Sequence, residues 1–429
     1  MNKYFCTAPW VHLHSWPDGR VFPCRSSLRE YQTLGNLYES SLDEIWNSET
    51  MQQFRKDLQE GKPRPDFCGR CYESELVGVK SLRQYCNESF MEEYKEQSKH
   101  EIVPTKLHYW DFRFDNTCNQ SCRGCGPALS SAWVDDAYQL TGQRFNESPV
   151  NIVKFNKDNL NRSLIKEQAP YVREINFAGG ESMITYDHYY ILSQLLENNN
   201  TDVKLTYTTN LSTISYKDMN FVDVWPKFRE VVLNISLDDV EERGEYWRNG
   251  LDWDKFVKNV KQVKEICNTY PNIKMSYSVT IFTYNIHRLD AIVEYTKKHD
   301  MLDNNVKLLV NSSVCFAEQY DVSTLTEEFK QYAQTHVERA VELLEDHPNK
   351  ADMEAVVNKL KLLKCDYHKA SHRHESVTHE SLRIFAAKQY ARLDKIRNQS
   401  LKEVAPELYE FYKDYGYDEE YNTFVPFPL

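Results

Sequence analysis

The sequence predicts an α/β protein built on a partial (β/α)6 barrel, with a small α+β module before the barrel and a helical extension after it. Three observations support this class. Strand-like and helical stretches alternate through the middle of the chain, cysteine pairs surround a hairpin pattern near the N-terminus, and the C-terminal part is charged with helical spacing. We expect the domains to be 1–88 (module), 89–106 (linker), 107–320 (barrel) and 321–429 (extension).

The barrel prediction rests on runs that are rich in β-branched, aromatic or aliphatic residues. They are residues 107–114, 174–178, 203–208, 231–236, 273–280 and 306–310. Helical stretches separate them, and in one of these Phe256, Val260, Val263 and Cys267 recur every three to four residues, as on a helix face that packs on a sheet. Such a series predicts a parallel sheet with right-handed crossovers. Sites of such barrels lie at the carboxyl ends of the strands.

Three cysteines follow the first strand-like run in the pattern Cys-x3-Cys-x2-Cys, at Cys118, Cys122 and Cys125. Three thiolates on one short loop can hold three irons of a cubane cluster, which normally takes four cysteines. One iron would stay open, and an open position distinguishes catalytic metal sites from closed structural ones. A zinc knuckle or three buried cysteines are the simpler alternatives.

A Gly-Gly-Glu sequence, Gly179 to Glu181, follows the second strand-like run. Glycine lacks a side chain and lets the backbone approach another group closely. The same three residues could also form an ordinary turn. Their position after the cysteine triplet gives them weight.

Together, the triplet and Gly-Gly-Glu resemble the radical S-adenosylmethionine (SAM) enzymes, which share a partial, TIM-like (β/α)6 barrel. The resemblance implies that Cys118, Cys122 and Cys125 hold a 4Fe-4S cluster whose free iron chelates SAM. In that family, an electron from the cluster breaks the sulfonium bond. The resulting 5'-deoxyadenosyl radical abstracts hydrogen from a substrate.

The same resemblance implies roles for residues at other strand ends. Gly179 and Gly180 would let the backbone approach SAM, and Glu181 would accept a hydrogen bond from its ammonium group. Ser236 resembles the family's ribose-contacting serine, and Arg248 resembles a carboxylate-binding arginine. Each of these last two could equally be a capping or surface residue.

Three positions depart from the family pattern. Gly124 stands where a large apolar residue near adenine is usual, Ser182 where proline is common, and Leu211 where glycine is common. None of these changes removes a metal ligand, but they put the adenine contacts in doubt.

Two cysteine pairs, Cys6 with Cys24 and Cys68 with Cys71, mark the N-terminal segment. A hairpin pattern with turn residues at 17–19 lies inside the first pair, and two helical stretches separate the pairs. From the residues alone, four cysteines in two separated pairs could equally bind zinc.

The spacing Cys-x12-Gly-x4-Cys, followed at a distance by Cys-x2-Cys, resembles the auxiliary-cluster module SPASM and its shorter form, Twitch. The full SPASM pattern continues with further cysteines soon after the second pair, and here only Cys86 is present, so Twitch fits better; we expect Cys86 to be buried. The resemblance implies a second, auxiliary 4Fe-4S cluster on the four cysteines. In familiar members the module follows the barrel, whereas here it precedes it.

Composition is consistent with a cytoplasmic enzyme. The 429 residues contain eleven cysteines, which without a secretion signal favours metal ligands over disulfides. The net charge of −12 argues against nucleic acid as a partner, and no apolar run has transmembrane length. The expected partners are a substrate and an electron-donating reductase, flavodoxin or ferredoxin.

The C-terminal part has helical spacing at Phe329, Ala333, Val337, Val341 and Leu344. A nearby segment holds a cysteine and four histidines, which are more often solvated than metal-bound; they are Cys365, His368, His372, His374 and His379. The sequence of the C-terminal extension does not indicate a substrate.

The resemblance implies an enzyme acting on a peptide or protein side chain in preference to a small molecule. The alternative is a non-catalytic zinc or iron-sulfur interaction protein on the same fold. No general acid, base or radical relay follows from the sequence.

Overall fold

The computed structural model describes residues 2–27, 33–76, 80–142, 160–303, 305–311, 318–348, 350 and 378–418. Strands β1 to β11 are His12–Ser15, Arg20–Phe22, Gly35–Asn36, Tyr109–Phe112, Glu174–Phe177, Lys204–Thr209, Ser215–Tyr216, Met219–Asn220, Glu230–Ser236, Ile273–Thr280 and Lys307–Asn311. Helices α1 to α17 are Ala8–Val11, Leu42–Trp46, Glu49–Gln59, Pro65–Leu76, Leu82–Ser89, Met91–Gln97, Val134–Thr141, Leu160–Gln168, Tyr186–Glu197, Phe221–Val224, Glu241–Trp247, Trp253–Thr269, Leu289–Lys298, Glu327–Leu343, His379–Arg397, Leu401–Val404 and Pro406–Lys413.

All the strand-like runs of the predicted barrel form strands, each within two residues of the expected bounds. The α/β class with a large parallel sheet and many helices is therefore confirmed. Closure of the sheet as a partial (β/α)6 barrel stays a prediction.

The chain divides into two compact units, each assembled from separate stretches. The first unit comprises 1–117, 152–208 and 215–232, and the second comprises 118–151, 209–214 and 233–429. These bounds do not follow the predicted domain bounds, which stay a prediction. The stretch expected to be a linker contains helix α6.

In the first unit, β6, β5, β4 and β1 lie side by side in parallel, and β2 and β3 continue the sheet antiparallel. The predicted hairpin is confirmed as β1 and β2, and Gly19 provides the turn with φ +83°. The register of β1 on β4 places His12 opposite Tyr109. The N-terminal hairpin thus extends the parallel sheet, which its sequence did not indicate.

The second unit contains the carboxyl end of β9, which neighbours β10, and β10 pairs in parallel with β11. Side chains alternate between buried and half-buried along β9, as expected for a strand that is covered more closely on one face. The predicted apolar face of α12 is buried at Phe256, Val260 and Val263, while Cys267 is half-buried.

The C-terminal helices pack on the second unit's aromatic core. Helix α14 buries Ala333 and Val337 as its spacing predicts, and α15 buries Ala386, Tyr390 and Leu393. Of the cysteine and histidine segment, only His379 lies within the described residues. No described helix has both the length and the apolar character needed to cross a membrane.

Candidate metal centres

The triplet lies on the loop that follows β4, within the second unit. Backbone hydrogen bonds order this loop: Cys125 donates to the Cys122 carbonyl at 2.9 Å, and Arg123 donates to the Trp247 carbonyl at 2.8 Å. The indole of Trp133 donates to the Cys122 carbonyl at 2.9 Å. The protein's own hydrogen bonds therefore define the shape of this loop.

The triplet thiols are close enough to influence one another. Burial, then the neighbouring Cys122 and Cys118 thiolates, raises the pKa of Cys125 to about 12. Burial also raises the pKa of Cys122, against the opposing charge of Arg248. Without a metal, these two thiols are neutral at pH 7. A bound iron would supply the positive charge that removes their protons.

The arginine predicted from the sequence lies beside this triplet. Arg248 donates from Nη1 to Asp238 Oδ2 at 2.7 Å and from Nε to Gln120 Oε1 at 3.3 Å. Burial lowers the pKa of Arg248, but the Cys122 thiolate and the Asp238 carboxylate outweigh it and raise the pKa above its ordinary value. Ser236 is the last residue of β9 and is half-buried.

Two neighbours of the triplet were missed from the sequence. Asn210 Nδ2 lies 3.9 Å from Cys118 Sγ and 3.0 Å from Asn119 Oδ1. Gln120 Oε1 lies 3.8 Å from Cys122 Sγ, and the buried Gln120 Nε2 has no hydrogen-bond partner among the described residues. An unsatisfied buried amide beside three thiols fits a site that receives a further group. Only the position of Asn210 directly after β6, and that of Gln120 between Cys118 and Cys122, could have indicated them.

The structure explains the departure at Gly124 and shows that the departure at Leu211 carries backbone strain. A Cβ on Gly124 would lie 2.5 Å from Phe282 Cζ and 3.1 Å from Trp247 Cζ2. These rings occupy the space that a large residue 124 would need. Leu211 takes φ +52°, in the left-handed region that favours the glycine usual there.

Gly-Gly-Glu lies in the first unit, directly after β5. A Cβ on Gly180 would lie 2.4 Å from the Thr117 carbonyl oxygen, and both glycines have positive φ. Gly180 is thus required by the close approach of the chain's own backbone, whereas at Gly179 the positive φ favours glycine and a Cβ would meet the Arg113 side chain. Glu181 is buried, its N–H donates to the Thr117 carbonyl at 2.8 Å, and its carboxylate accepts from Met183 N at 3.1 Å. The predicted contact of Glu181 with SAM stays a prediction.

The N-terminal cysteines are brought together within the first unit. Burial and then the thiolates of Cys86, Cys68 and Cys24 raise the pKa of Cys6 well above its usual value. Burial and then Cys71 raise the pKa of Cys24 to about 11. The group therefore comprises the predicted quartet and Cys86, which is buried as expected.

Helix α5 holds the loop that carries the first of these cysteines. The Phe5 carbonyl accepts from Arg83 Nη1 at 2.8 Å and from Asn87 Nδ2 at 3.0 Å, and Thr7 N donates to Asn87 Oδ1 at 2.8 Å. Both neighbours of Cys6 are thus fixed by the helix that bears Cys86. The sequence gave no sign of this support.

Thiol donors in groups of three and five are the donor type that iron-sulfur clusters use. Within the described ranges, no group of three or more His, Cys, Asp or Glu side chains is placed to hold a metal ion. One ion needs its donors to converge on a single point. A cubane cluster instead binds its cysteines at separate iron atoms, so its ligands need not converge on one point.

Comparison with known sequences identifies the N-terminal segment. Residues 6–72 match the SPASM family, described as an iron-sulfur cluster-binding domain. A stretch of 68 residues is 32% identical to the S-adenosyl-L-methionine-dependent 2-deoxy-scyllo-inosamine dehydrogenase of Niallia circulans. That stretch covers 16% of this chain and 26% of the relative, so the similarity spans about a quarter of that protein.

Comparison with solved structures gives weaker similarities. The native anSMEcpe structure with bound AdoMet and Cp18Cys peptide is 12% identical, with a TM-score of 0.38, over 54% of this chain and 59% of that one. The SuiB structure of Streptococcus suis bound to S-adenosylmethionine is 18% identical, with a TM-score of 0.34, over 64% and 56%. TM-scores this low do not transfer a fold or a function.

Proposed function

We propose that this chain, a radical SAM protein with an N-terminal SPASM-type iron-sulfur module, is an enzyme that reductively cleaves SAM and abstracts hydrogen from a substrate. The SPASM match at 6–72 and the similarity to a SAM-dependent enzyme confirm the recognition made from the sequence and support the predicted 4Fe-4S and SAM cofactors. The shorter Twitch form stays a prediction.

One observation carries the proposal: three half-buried thiols share one loop, with a cationic side chain beside them. Cys118, Cys122 and Cys125 would hold the catalytic cluster. When bound, the cluster and SAM supply one-electron cleavage of a sulfonium bond and a carbon-centred radical. The residues of this chain hold, orient and shield those groups.

The surroundings of the triplet suit an anionic thiolate group and a zwitterionic ligand. Arg248 offsets thiolate charge at Cys122, and Asp238 fixes its guanidinium by an ion pair of 2.7 Å. Asn210 and Gln120 place amide groups at the edge of the triplet, where amide dipoles tune the ligands. In the first unit, Glu181 is an acceptor suited to an ammonium group.

Four of the five N-terminal thiols would hold the auxiliary cluster in the first unit. Cys6, Cys24, Cys68 and Cys71 are its proposed ligands. Burial and mutual repulsion of the thiolates oppose ionisation without a metal, so cluster binding is coupled to loss of thiol protons.

We propose a peptide or protein side chain as the substrate, since auxiliary-cluster modules often accompany peptide modification. A small molecule is the second candidate, because the Niallia circulans relative is named for 2-deoxy-scyllo-inosamine. The competing proposal, a non-catalytic metal-binding interaction protein, makes no use of the position that three ligands leave open.

The test is anaerobic reconstitution followed by reduction with dithionite in the presence of SAM. Formation of 5'-deoxyadenosine is the expected result. Iron bound at the triplet without any 5'-deoxyadenosine would favour the non-catalytic alternative, and zinc in place of iron would overturn the cofactor assignment.

A further inference from the structure

The C-terminal helix α15 contacts the triplet loop, although more than 250 residues separate them in sequence. Both belong to the second unit. The contact begins at Arg123, which lies between the second and third cysteines and is fully buried. Its Nη2 donates to Asp394 Oδ1 at 2.5 Å and to Gln399 Oε1 at 2.8 Å. A buried arginine with such partners is fixed in position.

Asp394 is the centre of a buried polar network. Besides Arg123, its carboxylate accepts from the Tyr246 hydroxyl at 2.8 Å, the Tyr417 hydroxyl at 2.5 Å and the Leu401 N–H at 2.6 Å. The guanidinium of Arg123 also stacks on the Tyr246 ring, 3.9 Å from its centroid. Such a network keeps a buried charge in place and resists rearrangement.

A second arginine, Arg397, lies on α15 about one helical turn after Asp394 and contacts the same loop. Arg397 Nη2 donates to the Ser121 carbonyl at 2.8 Å and to the Ser121 hydroxyl at 3.1 Å. Its guanidinium lies over the Trp133 ring at 4.8 Å, and Asp136 accepts from it at 2.7 Å. Ser121 directly precedes Cys122, so this contact fixes the other neighbour of the same ligand.

Apolar packing completes the contact. Trp133, Leu140 and Leu393 form one buried cluster, and the half-buried Cys125 and Ile396 pack against it. A proposed ligand therefore touches the same core that α15 builds. Polar contacts on both sides of Cys122 and apolar packing at Cys125 act on the same short loop.

We propose that helix α15 is part of the catalytic cluster site: Asp394 and Arg397 are positioning residues that fix the backbone on both sides of Cys122. This inference rests on the proposed function, since it assigns the cluster to the triplet. It gives the C-terminal extension a role that its composition did not disclose. Groups that orient metal ligands change metal affinity by about 10- to 100-fold when they are removed.

The test compares Asp394→Asn and Arg397→Gln with Arg383→Gln, in the full-length reconstituted protein. Arg383 lies on the same helix and also donates to a carbonyl, that of Thr324 at 2.8 Å, away from the triplet loop. We expect the first two variants to lose iron to a chelator at least about tenfold faster from the triplet, with a changed electron paramagnetic resonance signal of the reduced cluster on SAM addition. Arg383→Gln should match the unchanged protein.

A folding control separates local from global damage. Arg123→Lys keeps the charge and loses the planar fork, so it should show an intermediate rate of iron loss with an unchanged thermal transition. Equal iron loss and equal spectra in all variants would overturn the proposal, as would equal damage from Arg383→Gln.

Alkylation of the metal-free protein keeps the two proposals distinguishable. Cys122 and Cys125 should react faster with a maleimide in Asp394→Asn than in the unchanged chain, whether or not the chain ever binds iron. Absence of iron at the triplet in the unchanged chain would overturn the proposed function. If the triplet binds no iron but Asp394→Asn still speeds alkylation, the role of α15 in ordering the loop would remain supported.

Discussion

The two cysteine groups differ in how the chain assembles them. The triplet occupies one loop between 118 and 125, while the N-terminal group collects thiols from 6 to 86. Yet the triplet is supported by Arg248, Asp394 and Arg397, which lie far outside its own stretch, whereas the N-terminal group is held by α5, which lies within its own span of the chain. Cysteines that are close in sequence are thus easy to recognise as a ligand group, but the positions of their side chains can still depend on distant residues.

We expect the largest effect on activity from removal of the cysteine triplet itself. Replacing Cys118, Cys122 and Cys125 with alanine should abolish 5'-deoxyadenosine formation after dithionite reduction, because no thiolates remain to hold the irons of the catalytic cluster. Iron content should fall from about eight to about four per chain if the N-terminal group is independent. Persistent turnover would place the chemistry elsewhere in the chain.

The matching change in the N-terminal cysteine group should abolish product formation without abolishing SAM cleavage. In Cys68→Ala with Cys71→Ala, we expect about half of the iron to be lost while uncoupled 5'-deoxyadenosine formation survives. Metal modules can unfold without their ligands, so an unchanged thermal transition of the remaining protein is the control. Loss of SAM binding would show that the N-terminal module builds part of the cofactor site. Full product formation would show that the second cluster is dispensable.

The first unit should be sensitive to acid in a way that does not depend on metal. Burial lowers the pKa of His188 to about 3 from 6.5. In the unfolded chain the imidazole of His188 takes up a proton below about pH 6.5, whereas in the folded chain it does so only near pH 3. The contribution of His188 to the free energy of unfolding is therefore fully present above pH 6.5 and is lost as the pH falls toward 3.

The contribution of His188 to the expected loss at about pH 4.5 is on the order of 3 kcal/mol in the free energy of unfolding of the metal-free protein. Urea titrations at that pH and at pH 7 would measure it. His188→Gln should be less stable at pH 7 but show a smaller difference between the two conditions; an equal difference would mean that other groups cause the acid sensitivity.

A smaller change tests the crowding in the triplet loop. Gly124→Leu should cost about 1–3 kcal/mol in the free energy of unfolding, because its side chain meets the Phe282 ring. Adding Phe282→Ala should recover part of this cost, since the two sites share one space. Additive losses in a double-mutant cycle, measured by urea unfolding, would contradict the steric explanation.

The smallest effect concerns backbone strain next to Asn210. Leu211→Gly and Leu211→Ala both lose a buried side chain, but only alanine keeps the strain of φ +52°. We expect the glycine variant to be more stable than the alanine variant by about 1 kcal/mol, the reverse of the usual order. Equal or inverted midpoints of thermal unfolding would show that the strain is absorbed elsewhere.

The sequence by itself determined the strand and helix alternation, the hairpin turn at Gly19 and the two sets of cysteines. Apolar periodicity, turn chemistry and ligand spacing are properties of neighbouring residues, so they can be recognised without coordinates. The capping box that starts α2 at Ser41 is local in the same way, since its partner Glu44 lies three residues further on.

Only the tertiary structure decided which distant residues meet. Packing between segments far apart in the chain determines three of these contacts. It pairs β1 with β4, places Phe282 beside Gly124, and brings Cys86 to the N-terminal thiols. The same holds for Asp394, whose position on a polar, charged helix gave no hint of its contact with Arg123. Local patterns fix which elements form, whereas close packing of the core selects their partners.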